Sequence, residues 1–158
     1  MLTIHAADEL RYGWDEDQEP VKDGAVAVAA DRVVGSGPLA ELREEFPDAR
    51  VRRWPGVLGP ALLHQGPLPD APTPRERIHA VLKLGATAVL EEYADTPELR
   101  AAAARNDVIV VPRGTAVRRP AAFLGIGRAD LAVFEYDETG GGTCVATVCA
   151  GRLVHRRR

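Results

Sequence analysis

Of the four histidines in the chain, His64 is the one placed where a side chain could do chemistry. It closes the apolar run Ala61-Leu-Leu and opens the polar stretch Gln65-Gly66, which is a strand-to-loop exit of the kind where α/β proteins place their sites. A lone imidazole in that setting also serves as a hydrogen-bonded structural group. Glu91, Glu92 and Asp95 follow the apolar stretch Thr87–Leu90 at a second such exit, where they could meet a small ligand or simply form a solvated loop. His64 is therefore the candidate catalytic residue, and His64, Glu91, Glu92 and Asp95 are the candidate ligand-binding residues. No metal set and no cofactor are expected. His5, His79 and His155 are scattered without ligand spacing, so satisfied or exposed imidazoles are expected at all three.

The two cysteines, Cys144 and Cys149, fall in one expected strand at an odd spacing. That spacing would turn them to opposite faces about 16 Å apart, too far to bond to each other. Reduced core thiols are expected, since a zinc site wants closer spacing and more ligands. The pair Gly125-Ile-Gly127 lacks the third glycine of a dinucleotide fingerprint, and Gly140-Gly-Gly142 sits where a hairpin turn is expected. Among nucleophile elbows, phosphate loops and Cys/His pairs, the sequence contains none.

The elements that would carry these residues are short. Leu2–Ala6, Ala25–Ala29 and Arg32–Gly35 read as strands, the last two as a hairpin introduced by Asp23-Gly24. Leu39, Leu42 and Phe46 recur on one face of a short helix that Pro47 stops, and Ala49–Trp54 returns to strand. Thr73-Pro74-Arg75-Glu76 and Thr96-Pro97-Glu98 are helix starts, with a threonine cap, proline at the first helical position and an acidic residue in the first turn. Each helix leads into an apolar stretch, Thr87–Leu90 and Val108–Val111, which predicts parallel α/β packing; right-handed crossovers would put both helices on one face of this small sheet and leave the other, apolar in Val108–Val111, without a helix of its own. Ala129–Tyr136, Thr143–Ala150 and Arg152–His155 are again strands.

With 46% hydrophobic and 27% charged residues over 158 positions, the chain fits one compact domain or a domain with an insertion. Aromatic residues are only 5%, which leaves little to stack bases or sugars. A net charge of -3 supplies no basic field for nucleic acid or anionic lipid. Neither a signal-like start nor an apolar run of membrane-spanning length is present, so a soluble cytoplasmic protein is expected. Acidic residues crowd the start (Asp8, Glu9, Asp15, Glu16, Asp17, Glu19) and arginines the end (Arg152, Arg156, Arg157, Arg158), read as solvated termini of opposite sign.

Three motifs extend the reading. The segments Asp23-Gly-Ala-Val-Ala-Val, Asp31-Arg-Val-Val-Gly-Ser-Gly37 and Trp54-Pro-Gly-Val-Leu-Gly-Pro60 resemble the N-terminal segment of imidazolonepropionase-like members of the amidohydrolase superfamily. Gly127–Phe134 and Val145–Val154 are similar to the strands with which those enzymes close a composite β-domain, and Leu82–Val89 to an early barrel unit. The resemblance implies a mixed α/β fold. Residues 1–66 and 112–158 would form a split β-sandwich, and 67–111 a short βαβ-type insertion in place of the catalytic barrel. A complete barrel takes about 250 residues, whereas that insertion offers roughly 45.

Members of the family hydrolyse non-peptide C–N bonds with a metal held first by a His-x-His pair at the end of the first barrel strand. Aligned from Pro60, those two positions fall on Gly66 and Leu68; sliding His64 into the first leaves Gly66 as its partner. The resemblance thus implies a non-catalytic relative that binds a protein or a small molecule. The alternative is a subunit of a metal-dependent hydrolase or deaminase whose metal site another chain supplies. A homodimer, or a heteromer with a related chain, is the expected assembly.

Overall fold

The computed structural model describes residues 2–15, 19–114 and 127–157. The outer strands are β1 (Leu2–Leu10), β2 (Val21–Lys22), β3 (Gly24–Ala29), β4 (Arg32–Pro38) and β5 (Arg50–Pro60), with α1 (Leu39–Glu45) between β4 and β5. The middle holds β6 (Leu62–His64), α2 (Pro74–Lys83), β7 (Ala86–Leu90), α3 (Pro97–Arg105) and β8 (Ile109–Val111). The chain returns through β9 (Leu131–Tyr136), β10 (Gly142–Cys149) and β11 (Arg152–Arg156).

Two sheets result. The larger runs β11-β10-β9-β5-β1-β3-β4, with β2 on the side of β1, and has eight strands. Its pivot is β5, which pairs in parallel with β1 and, beyond Val57, antiparallel with β9. The start and end of the chain therefore share one sheet. The strand expected over Ala49–Trp54 runs on to Pro60 because both of its edges find partners.

The sheet also curls until its far ends meet. Asp31 O accepts the Ala129 N–H at 2.7 Å, Ala129 O accepts the Gly151 N–H at 2.9 Å, and a Cβ on Gly151 would stand 1.8 Å from Ala30 O. Inside the curl Val26, Val28, Val33 and Leu58 from the first half meet Leu131, Val133, Val145 and Val148 from the second. Strand alternation explains how one sequence serves two cores. The valines of Ala25-Val-Ala-Val face inward, and Ala25 and Ala27 face out, where their small side chains let Leu39 and Leu42 of α1 close over them.

The second sheet, β6-β7-β8, is parallel, and its helices begin as the sequence predicts. Thr73 Oγ1 accepts the Glu76 N–H at 3.2 Å and Thr96 Oγ1 the Leu99 N–H at 3.1 Å. Its first strand is Leu62–His64, upstream of residue 67. Helix α2 lies between this sheet and the larger one: Ile78, Val81 and Leu82 pack with Val89 on one side and Cys149 and Val154 on the other, and the Thr147 hydroxyl donates to Leu82 O at 2.7 Å.

One expectation is corrected. Cys144 and Cys149 do not face opposite sides, because a bulge between Cys144 and Ala146 shifts the alternation by one residue. Cys144 Sγ consequently sits 3.3 Å from the hydroxyl of Thr147, on the α2 side where Cys149 also packs; both thiols are free. In β8 and the residue before it, Val108 and Val110 pack under the helices, whereas Ile109, on the face without a helix, is 43% exposed. Of the C-terminal arginines, Arg152 pairs with Asp107 and Arg157 with Glu135, each at 2.7 Å and on the surface.

Candidate functional site

The C-terminal ends of β6, β7 and β8 lie at one edge of the small sheet because the strands are parallel, and this edge gathers the candidate residues. His64 ends β6 in register with Val89, and Val89 in turn with Val110, on the side packed against the helices. Its Nε2 donates to the carbonyl of Pro67 at 2.8 Å, which ties the imidazole to its own loop. Gly66, two residues on, has no side chain, and Leu68 is 5% exposed beneath α2.

The acidic group is dispersed. Glu91 opens a 3-10 turn after β7 and its Oε2 accepts the Arg113 N–H at 2.6 Å, so that it fastens the loop following β8. Glu92 and Asp95 are exposed. Among the described residues no three His, Cys, Asp or Glu side chains converge as a metal site would require. A metal of the kind the fold family implies does not fit the end of β6: one candidate ligand is hydrogen-bonded to backbone, its partner position is glycine, and the next is a core leucine. Gly125 lies outside the described residues, and Gly140–Gly142 form the β9–β10 turn, where the Asp137 carboxylate accepts the Thr139 and Gly141 N–H groups at 2.9 Å.

His5 and Cys149 are held in the interior. His5 is 3% exposed on β1, and its Nδ1 accepts the Trp54 Nε1–H at 3.2 Å. Burial, with Arg52 nearby, lowers its pKa to about 4. Cys149 is fully buried, and burial pushes its thiol up to about 11 even though Arg128 donates to its sulfur at 3.2 Å. Such a thiol is no nucleophile.

One feature of the middle unit was not localised by sequence. Leu63, Ala88 and Ile109 stand in one row across β6, β7 and β8, and Leu90 and Val111 in the next, on the face turned away from α2 and α3. Strand alternation in Val108–Val111 carried the signal, but which residues face out depends on where the helices pack.

Comparison with known proteins places this geometry. A bacterial imidazolonepropionase-like composite domain matches residues 24–49, which hold β3, β4 and α1. E. coli guanine deaminase superposes with a TM-score of 0.52 at 14% identity, over 71% of this chain and 35% of that one. The fold is that of the amidohydrolase composite domain. Ochratoxinase from A. niger gives a TM-score of 0.51 at 19% identity, over 73% of this chain and 32% of its own. No curated protein sequence matches. The chain spans about a third of the length of these two structures.

Proposed function

We propose that the chain is a non-catalytic protein built on the amidohydrolase composite domain, acting by binding a partner through the open face of the β6-β7-β8 sheet. The observation that carries this reading is the row Leu63, Ala88 and Ile109, flanked by Leu90 and Val111, on the face opposite α2 and α3, where Ile109 is 43% exposed and the others are half-buried. A parallel sheet is stable when both faces are buried, and in a complete barrel this face would point into the interior. The strands β6 and β8 are also open edges. An apolar face between open edges is met most simply by a second copy related by two-fold symmetry.

Size exclusion with light scattering at micromolar concentration is expected to give twice the chain mass of 17.0 kDa. Ile109→Lys should weaken the association by about 3 kcal/mol, roughly a hundredfold, because an ammonium would be buried among aliphatic groups. Val110, which packs under the helices, is the wrong position for this test. A monomer at every concentration in the unsubstituted protein would contradict the proposed interface.

A further inference from the structure

A second surface, independent of that interface, has the lining of a ligand site. Between the end of α2 and strands β9, β10 and β11 lies a cleft of about 380 Å³. That volume is enough for a small ligand. Its lining is of two kinds: Leu84, an apolar side chain left 50% exposed, and Phe134 offer an apolar wall, whereas Lys83, His155 and Arg157 are basic.

The basic groups are not balanced locally. Arg157 is matched by Glu135 at 2.7 Å, but Lys83 has no ion-pair partner among the described residues. Lys83 belongs to a stripe with His79 and Arg75, spaced four apart on α2 and so on one face. His79 records the crowding: burial first, then Lys83, His155 and Arg75, lower its pKa. His155 donates from Nε2 to the Cys144 carbonyl at 3.2 Å, which fixes the ring at the cleft wall. Cys144 also lines the cleft, with its thiol raised by burial and therefore uncharged. The net surplus among the lining residues is the one ammonium of Lys83, which suits a monoanion better than a phosphate dianion.

We propose that this cleft binds a small organic monocarboxylate with an apolar body, the carboxylate on the Lys83 ammonium and the body against Leu84 and Phe134. The test is an NMR titration of the full chain with benzoate, its neutral isostere benzamide, and inorganic phosphate. Benzoate is expected to shift the amides of Lys83–Gly85 and Thr143–Cys144 and to bind roughly tenfold more tightly than benzamide, the worth of one charge-assisted hydrogen bond. Lys83→Gln should remove that advantage, and Leu84→Ser should weaken both aromatic ligands; both side chains are exposed, so the fold tolerates the changes. Absence of shifts up to about 10 mM benzoate would overturn the proposal. Equal binding of benzamide, an advantage that survives Lys83→Gln, or phosphate binding more tightly than benzoate would also overturn it.

Discussion

Dividing the chain at Pro112 is expected to abolish cooperative folding of both pieces. The first piece would keep β1, β3, β4 and β5 but lose β9 from the edge of β5, where Val57 through Pro60 pair with Phe134 through Leu131. It would also lose Leu131, Val133, Val145 and Val148, half of the core inside the curled sheet. Helix α2 would be stripped of β10 and β11 and of the bond from the Thr147 hydroxyl to Leu82 O. The second piece would be left with three strands and a bare apolar face, which is marginal in water at best. Since a domain of ordinary stability has about 5–15 kcal/mol in total, losing half of its main core removes most or all of it. Urea unfolding followed by circular dichroism checks this; a steep, cooperative transition from residues 1–112 alone would mean that the two ends do not depend on each other.

A pH effect of about 3 kcal/mol is expected from His5. Above pH 6.5 the imidazole is neutral in both the folded and the unfolded chain and contributes no slope. In the folded chain its pKa is about 4, so between pH 6.5 and 4 the unfolded chain takes up a proton that the folded one refuses. Stability therefore falls as the pH drops through that window and levels off below it. The structural cause is direct: protonating Nδ1 would remove the acceptor for Trp54 Nε1–H and place a charge at a site 3% exposed, near Arg52. His5→Gln can retain an acceptor without titrating. The stability difference between the parent and this variant should shrink by about 3 kcal/mol between pH 7 and 4, because other titrating groups are common to both. Parallel pH profiles would show that His5 is not held neutral by the fold.

Local chemistry accounts for what was readable in the sequence. Thr73-Pro74 and Thr96-Pro97 announce helices because capping is settled within four residues, and both threonines do cap. The pairing of β5 with β9 joins residues far apart in the chain, and no local pattern encodes it; it was legible through the resemblance of the two flanks to one composite domain. The faces of Cys144 and Cys149 were misjudged because strict alternation fails at a bulge, and nothing in the type of Val145 announces one. At the site, the poor metal chemistry of Gly66 and Leu68 was evident from residue type alone. The bond from His64 to the Pro67 carbonyl was not, since it depends on how the loop folds back.

The proposed function requires that the end of β6 hold no metal centre. The most direct measurement is elemental analysis after equilibration with zinc and removal of excess by gel filtration. Far less than one zinc per chain is predicted, unchanged by His64→Ala, because a stable site needs several convergent ligands. About one zinc per chain, lost on His64→Ala, would contradict the account and restore a hydrolytic centre at the end of β6.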